Sequence, residues 1–557
     1  MVKISNNAGN GKTWLQLTGF LVLFLIAYTW TQPFRDIYGI EARNALMARE
    51  MLEGGLSIIP KALGRPYPDY PPLYFWLETL FSLPFGHVST LSVVLPSGLS
   101  AVGLLALTFC LGREIRPRTG WLSALILATI PSFWLEASSA TIDMLLAFNV
   151  TAGIVCLYFR DTQGHSKRRM PWTMGIILFL MASFFTKGPI GIVLPAVSWG
   201  GYLLFETRLK DFVFFELFMM SVGLLCVAIE LAVAYHAGGR QLVHDVITMQ
   251  VVGRLQGKAS KPFFYYLISL LEIGSIWWLF IIAGLFRFCA GTPGKGRCLR
   301  FWQTLTAHSV TRLTLAWFVG TFTVFTLAST KHARYLLPLY PAIAVILAAW
   351  VGGLLKENSP PYSKICKNSA IFLTGALLLA GMSFSFLYPQ FLFVPFGCIF
   401  IWLVAGAAGA VIVMRWIKER YYLVGSIFLL LAVGLSGTTL MVTPAVSRRA
   451  SARAFVAAAE SRVDPLLPVV IYGISADGDG VKYALYSSRK SATIRFVDTL
   501  EALNLISTSC LLITRSEDKT RLQELLSGRN LQQVAEGKIR SKQLCAYLLG
   551  AEGESNP

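Results

Sequence analysis

The chain has 557 residues, of which 55% are hydrophobic and 14% charged, and its formal net charge is +19. A soluble protein of this length needs far more polar surface, so the composition excludes a water-soluble globular enzyme as the main body of the chain. The positive charge does not require a nucleic-acid partner, because Lys and Arg retained on the cytoplasmic side of a membrane account for most of it.

Apolar runs long enough to cross a membrane recur along most of the chain. The first is followed by Gln32 and Pro33 rather than by a small-residue cleavage site, so we interpret it as a span and not as a signal peptide. The pattern predicts a mainly α-helical, polytopic membrane bundle of about 13 spans, at residues 14–31, 88–111, 120–138, 141–159, 172–186, 189–205, 212–235, 263–286, 313–328, 335–355, 370–388, 391–414 and 421–443.

The short loops between these spans decide the orientation. Their Lys and Arg residues cluster on one side, which is the cytoplasmic side and also holds the N-terminus. Residues 71–86 are apolar enough to resemble a span, but counting them would put the basic loops outside, so we predict a helix at the membrane interface there. By the span count, the C-terminal end then lies on the opposite, periplasmic side.

The chain becomes polar from about residue 445. Short β-branched runs at 469–472, 493–497 and 511–514 alternate with helical patterns such as 518–527, which predicts a small α/β domain. We therefore predict a transmembrane domain at 1–444 with a periplasmic first loop at 32–87, and a periplasmic α/β domain at 445–557. Cys510 and Cys545 fall in this domain, and the sequence leaves open whether they pair.

A second group of charges remains outside once the cytoplasmic loops are set aside. Basic residues are disfavoured in short translocated loops, so Lys187 and the pair Lys331 and Arg334 need a reason. Several cations at one membrane face form a cradle for a phosphate, and the acids Glu41 and Asp143 could supply a base beside it. The alternative is that each cation is an interfacial anchor that reaches the lipid headgroups. We favour the anchor for any single Lys and a site for the group.

Other features leave alternatives open. Glu230 and Glu272 lie inside predicted spans, where an acid serves either a site or a structural ion pair. No metal-ligand spacing occurs, so no cofactor is predicted. A divalent cation that bridges Glu41 and Asp143 to a phosphate remains an alternative.

The first loop carries an ordered set of motif residues. They are Glu41, Arg43, the run Ala48-Arg49-Glu50-Met51-Leu52, Pro60, Gly64, Tyr67 and the stretch PPLYFW at 71–76. Further motifs follow in order: ATIDMLLAF around Asp143, TKGPIG around Lys187, VVGR ending at Arg254 with FFYY after it, and STKHARYLLPLYP at 329–341. Over residues 10–445 the chain resembles bacterial membrane glycosyltransferases of the GT-C superfamily, of the aminoarabinose transferase and protein mannosyltransferase type.

The resemblance implies a function and a site. In such enzymes the donor is a polyprenyl-phosphate sugar, the transfer of a hexose or pentose takes place outside the cytoplasm, and no nucleotide-binding fold is required. The expected partners are that donor, membrane lipids and a lipid, glycan or protein acceptor. The implied catalytic acids are Asp143 and Glu41, and the implied donor-phosphate residues are Arg43, Lys187, Arg254, Lys331, Arg334 and Tyr335.

The chain departs from the family pattern at two positions. The first acid of the family's acidic pair falls on Ile40, with Asp36 nearby, and the Lys of the family's KPPL motif falls on Tyr70. That Lys contributes to the aminoarabinose enzyme's site, so the sugar and the acceptor stay open. Two other functions also stay open: a transporter or flippase for lipid-linked sugars, and a catalytically degenerate membrane scaffold.

Overall fold

The structure is a computed structural model that describes residues 8–163, 169–253, 261–274, 306–354, 396–416, 422–490, 493–526, 529–539 and 542–551, with scattered positions at 277–282 and 368–383. The chain divides into two compact units. The first consists of Met1–Thr31, Asp69–Tyr74 and Val94–Leu440. The second consists of Gln32–Pro68, Phe75–Val93 and Met441–Pro557, so the first loop is grouped with the polar C-terminal region.

Helices dominate the described residues. In chain order their bounds are α1 Ala8–Thr29, α2 Glu41–Gly54, α3 Leu73–Ser82, α4 Thr90–Ile115, α5 Pro117–Ala128, α6 Pro131–Ala137, α7 Ile142–Thr162, α8 Arg169–Lys187, α9 Ile190–Phe205, α10 Leu209–Ile247, α11 Tyr265–Gly274, α12 Ser309–Leu327, α13 Tyr340–Leu354, α14 Phe396–Trp416, α15 Tyr422–Gly437, α16 Thr443–Ala450, α17 Arg453–Glu460, α18 Val481–Tyr486, α19 Leu500–Asn504 and α20 Lys519–Leu525. The strands are β1 Lys61–Ala62, β2 Arg65–Pro66, β3 Val469–Tyr472, β4 Arg495–Val497, β5 Cys510–Arg515, β6 Leu531–Ile539 and β7 Lys542–Leu549.

The first unit is a multi-pass membrane bundle. Among the residues that the structure describes, eight helical stretches are long and apolar enough to cross a membrane: Gly11–Phe34, Thr90–Ile115, Ile142–Thr162, Arg169–Lys187, Leu209–Val252, Ser309–Leu327, Ala333–Gly352 and Val424–Ala450. Each confirms a predicted span. The predicted spans 189–205 and 391–414 appear as shorter apolar helices. The predicted span 263–286 contains α11, and its remainder lies partly outside the described residues, as does about half of the predicted span 370–388.

The predicted span at 120–138 is bent. It consists of α5 and α6, whose axes meet at 71°. The backbone is extended at Ile130, which directly precedes Pro131. A residue before proline is disfavoured in the helical region, so the break is expected there.

The ambiguous apolar segment at 71–86 does not form a span. It contains α3, which has 10 residues, followed by a short 3-10 turn at Leu83–Phe85. An α-helix of this length is roughly 15 Å long, about half the thickness of the hydrocarbon core. Excluding this segment from the span count is therefore confirmed.

The C-terminal region folds around a five-stranded sheet with strand order β4-β3-β5-β7-β6. Strand β3 pairs in parallel with β4 and β5, and β7 pairs antiparallel with β5 and β6. The three predicted strands and the helix near 518–527 are confirmed. The hairpin of β6 and β7 was not predicted. Cys510 and Cys545 are both buried and free, and they lie four positions apart in the register of β5 and β7.

Close helix contacts in the bundle depend on glycine. At Gly120 a Cβ atom would lie 2.8 Å from the Phe109 carbonyl oxygen and 3.1 Å from the Arg113 Cβ, so α4 and α5 approach each other directly at this point. Small residues allow this contact between membrane helices, where packing replaces the hydrophobic effect as the main attraction.

We expect Gly120→Leu to separate α4 from α5 and to destabilise the bundle by about 1–3 kcal/mol. Gly19→Leu is the matched control, because Gly19 lies in α1 with nothing within 4 Å of its Cβ position. Thermal unfolding of the purified proteins in one detergent compares them. Equal melting temperatures would contradict the close contact.

Candidate active site

The site begins with two helix ends that lie side by side. Helices α7 and α8 are consecutive and pack along each other, so the first turn of α7 lies near the last turn of α8. Asp143 is in that first turn and Lys187 is the last residue of α8. The helix macrodipole favours an acid at an N-terminus and a cation at a C-terminus, so each residue is placed where its charge is stabilised.

Asp143 is paired with two cations. The Lys187 ammonium donates a short hydrogen bond to Asp143 Oδ1, and Arg334 Nε lies 3.1 Å from Oδ2. The side chains of Asp143 and Lys187 are less than a tenth exposed. The Tyr335 ring covers the ammonium, with 4.0 Å between Lys187 Nζ and the ring centroid. The structure therefore brings together four residues from the sequence prediction, on three separate elements.

A glycine turn holds Lys187 in place. Gly188 has φ +75°, and its N–H donates to the Phe184 carbonyl at 2.6 Å, which ends α8 in the left-handed conformation that glycine favours. A Cβ at Gly188 would lie 2.8 Å from Gln250 Oε1. Gln250 Nε2 in turn donates to Glu230 Oε1 at 2.7 Å. The intramembrane acid Glu230 thus contributes to the packing beside the Lys187 turn.

The loop before α13 adds charged and aromatic groups. Lys331 is buried and its Nζ donates to the Ala328 carbonyl at 2.7 Å. The His332 backbone N–H donates to the Tyr266 hydroxyl at 3.3 Å. Burial lowers the pKa of His332 below its usual 6.5, and the nearby cations, with Arg334 acting most strongly and then Lys261, lower it further.

Lys261, Tyr266 and His332 had no predicted role. Lys187 and Asp143 also act on His332, so the charged groups that act most strongly on its imidazole are three cations and one carboxylate. The His332 side chain is exposed, and such an excess of positive charge beside it suits an anion. The signal that would have found these residues is their place in or beside two motifs: Tyr266 ends FFYY, Lys261 lies two residues before FFYY, and His332 lies inside STKHARY.

The first-loop residues lie in the second unit. Both carboxylate oxygens of Glu41 accept from the Arg35 guanidinium, at 2.6 and 2.9 Å, and the pair is buried. Arg43 Nη1 donates to the Tyr67 hydroxyl at 2.7 Å. Ile40 precedes α2 and is exposed, and the nearby acid Asp36 pairs with Arg453 at 3.2 Å.

Two parts of the sequence prediction receive no structural test. Arg254 lies outside the described residues. Glu272 lies in α11 and acts electrostatically on Tyr340.

Over the described ranges, no group of three or more His, Cys, Asp and Glu side chains is arranged to hold a metal ion.

Similar proteins were found by sequence. A family model described as dolichyl-phosphate-mannose-protein mannosyltransferase matches residues 69–235. The undecaprenyl phosphate-alpha-4-amino-4-deoxy-L-arabinose arabinosyl transferase of Aeromonas salmonicida (strain A449) is 28% identical over 348 residues, which cover 60% of this chain and 60% of that protein. The transferase with the same description from Pectobacterium carotovorum subsp. carotovorum (strain PC1) is 28% identical over 350 residues, or 61% of this chain and 60% of that protein. The match thus spans about three fifths of these relatives.

Solved structures share the fold. ArnT from Cupriavidus metallidurans, bound to undecaprenyl phosphate, superposes with a TM-score of 0.71 at 17% identity, over 95% of this chain and 98% of that one. The archaeal oligosaccharyltransferase AglB from Archaeoglobus fulgidus, in complex with an inhibitory peptide and a dolichol-phosphate, gives a TM-score of 0.50 at 10% identity, over 98% of this chain and 75% of that one. The chain is therefore similar in sequence to these transferases and to the mannosyltransferase family model, and it shares the fold of these solved structures.

The family pattern that the sequence resembles draws attention to the position of Tyr70. Tyr70 stands where the family pattern has Lys, and it acts electrostatically on Arg334 in the first unit. Glu136 acts on the same guanidinium. The substitution therefore changes the surroundings of the Asp143 cluster itself and not a remote surface.

We expect the loss of Lys187 to destabilise the bundle, because it removes one partner of a buried carboxylate. Breaking a buried pair costs about 3–5 kcal/mol, and Arg334 should keep the effect of Lys187→Met at or below the lower end. The double variant Lys187→Met with Asp143→Asn should recover part of the loss. Thermal unfolding in detergent measures both. A single variant as stable as Lys210→Met, which changes an exposed lysine of α10, would show that the pair carries no stability.

Proposed function

We propose that this protein transfers a sugar, a hexose or a pentose, from a polyprenyl-phosphate donor to a lipid, glycan or protein acceptor. The observation that carries the proposal is the buried carboxylate of Asp143 held between Lys187 and Arg334. A transferase needs an acid beside a group of cations, and this cluster provides both at one end of neighbouring helices. The names of the sequence relatives, which are undecaprenyl phosphate-dependent arabinosyl transferases, support the same reaction class.

The proposed reaction forms one bond and breaks another. An acceptor oxygen attacks the anomeric carbon of the sugar, and the bond from that carbon to the phosphate oxygen breaks with its electron pair moving to the phosphate. Lys187 and Arg334 stabilise the charge that develops on the leaving polyprenyl phosphate. The acceptor proton moves to Asp143, which acts as the base or orients the acceptor.

The ion pairs in the structure are consistent with binding of the donor phosphate, which is the step that precedes this reaction. Lys187 and Arg334 share one carboxylate, so a donor phosphate can compete for their N–H groups. When it does, the ion pairs that hold Asp143 weaken and its carboxylate oxygens become available to the acceptor. Donor binding therefore frees the carboxylate for its role in the reaction.

The two predicted acids differ in their surroundings. Glu41 is held by both terminal nitrogens of Arg35 in a bidentate pair, so each of its carboxylate oxygens already accepts a hydrogen bond. Within the proposal, Asp143 carries the base role and Glu41 orients the start of α2. Arg43, Arg254, Lys331 and Tyr335 keep their proposed roles in binding the donor phosphate, on the strength of the motif resemblance. A divalent cation remains an untested addition.

The location of the reaction is also part of the proposal. The basic short loops favour a cytoplasmic N-terminus, with the C-terminal domain and the site on the periplasmic side of a bacterial inner membrane. The exposed Ile40 stands where the family pattern has an acid, and Tyr70 stands where it has Lys. These two differences favour a sugar or acceptor different from that of the aminoarabinose enzymes.

We expect Asp143→Asn to abolish sugar transfer while leaving the amount of membrane-inserted protein unchanged. A strain that lacks this gene is complemented with the wild type, with Asp143→Asn or with Asp161→Asn. Mass spectrometry of lipid A, lipopolysaccharide core and periplasmic proteins then shows which molecule loses a pentose or hexose. Asp161 is the matched control, because it is also paired with an arginine, Arg208, at the other end of α7.

Restoration of the modification by Asp143→Asn would refute the catalytic assignment. A deletion strain in which lipid-linked sugar accumulates on the cytoplasmic side would instead support transport. Normal glycosylation in the deletion strain would refute a role in sugar transfer.

A further inference from the structure

The second unit contains an unusual arginine contact. Arg49, in the last turns of α2, points its guanidinium at four main-chain carbonyls of the C-terminal region. Nη1 donates to the carbonyl oxygens of Ala484 and Leu485, both at 3.1 Å, and of Ser487 at 2.8 Å. Nη2 donates to the carbonyl of Arg489 at 3.1 Å. The Arg49 side chain is 17% exposed, so this contact is largely shielded from water.

Two of these carbonyls, those of Ala484 and Leu485, belong to the end of a helix, where carbonyls are left without a partner in the helix. Helix α18 ends at Tyr486, and the chain continues in an extended conformation from Ser487. The last carbonyls of a helix have no partner within it and carry the negative end of the macrodipole. A guanidinium has five N–H donors in a fixed planar arrangement and reaches several carbonyls at once, whereas an ammonium has three donors on a single nitrogen and spans a smaller distance.

The receiving segment is itself held in shape. Glu460 accepts hydrogen bonds from the Ser487 hydroxyl at 2.5 Å and from the Ser488 N–H at 2.9 Å, and pairs with Arg489 at 3.0 Å. Burial raises the pKa of the Glu460 carboxyl, but these bonds outweigh it and hold the pKa below its usual 4.5. The carboxylate is therefore charged at neutral pH and keeps the loop at 487–489 in one conformation.

The chain before α2 is fastened to the same region. The Tyr486 hydroxyl donates to the Ile37 carbonyl at 2.9 Å, and the Asp36 N–H donates to the Ser447 hydroxyl at 3.2 Å. Arg453 pairs with the Asp36 carboxylate at 3.2 Å. The C-terminal region thus holds the first loop on both sides of the segment that carries Glu41 and Arg43.

We propose that the C-terminal domain positions the first-loop helix α2 for catalysis, and that Arg49 is the positioning residue that links them through the end of α18. This inference rests on the proposed function, since it gives the domain a task within that reaction. Arg49 acts through α2 and touches no substrate. The domain is therefore a working part of the enzyme, and not an independent module for binding a partner.

The first arm of the test measures hydrogen exchange in the full-length protein in lipid nanodiscs. Arg49→Gln should raise amide exchange in two separate segments, 36–54 and 481–489, and leave α7 and α8 unchanged. Arg65→Gln is the matched control, because Arg65 is an exposed arginine of the same loop. Unchanged exchange in both segments of Arg49→Gln would overturn the proposal, and this arm is independent of any activity.

The second arm measures binding of undecaprenyl phosphate to the same purified proteins. We expect Arg49→Gln to weaken binding by about tenfold, because a misplacement of 1 Å in a positioned group costs up to about a hundredfold. Arg49→Lys should rescue only part of the affinity, and Arg65→Gln should match the wild type. A purely structural role would lower the fraction of protein that binds without changing the dissociation constant, and that result would also overturn the proposal. If the wild type does not bind undecaprenyl phosphate, the proposed function fails, and the exchange arm alone decides the role of Arg49.

Discussion

The buried pairing of Asp143 with Lys187 and Arg334 is the interaction on which the candidate site depends. Buried charges are costly unless they are paired, so this one carboxylate fixes three elements relative to one another: the start of α7, the end of α8 and the segment before α13. The glycine turn at Gly188 and the aromatic cover from Tyr335 are arranged around that pairing. In the proposed function the same arrangement supplies the chemistry, because a donor phosphate would compete with the carboxylate for the two cations.

The second unit follows the same physical rule with different partners. Here Arg35 forms an ion pair with the buried carboxylate of Glu41, and Arg49 donates hydrogen bonds to main-chain carbonyls at and just after the end of α18. Both contacts stabilise α2, the helix that carries the first-loop motif. The contacts between the first loop and the C-terminal domain fix the geometry of the loop. Catalysis of a group transfer requires such fixed geometry.

The sequence predicted the architecture better than it predicted the side-chain contacts. Spans depend on hydropathy, which is visible in one dimension, and the short helix α3 was excluded as a span on the charge of the loops. The orientation of the spans stays a prediction. The β6 and β7 hairpin was missed because its strands carry exposed polar residues such as Gln532 and Lys538, which hide the β pattern. Pairings such as Lys187 with Asp143, or Arg35 with Glu41, depend on how the helices pack, and no local pattern encodes them. The Arg49 contact joins residues more than 430 positions apart, and no local sequence pattern predicts it.

The account is tested most directly by measuring the affinity of undecaprenyl phosphate for the purified wild type and for Lys187→Gln. We predict binding to the wild type that weakens at least about tenfold in Lys187→Gln, since a charge-assisted hydrogen bond to the phosphate is lost. Lys210→Gln, an exposed lysine of α10, should bind as the wild type does. Equal affinities for all three proteins would contradict a phosphate site at Asp143, Lys187 and Arg334, and with it the proposed reaction.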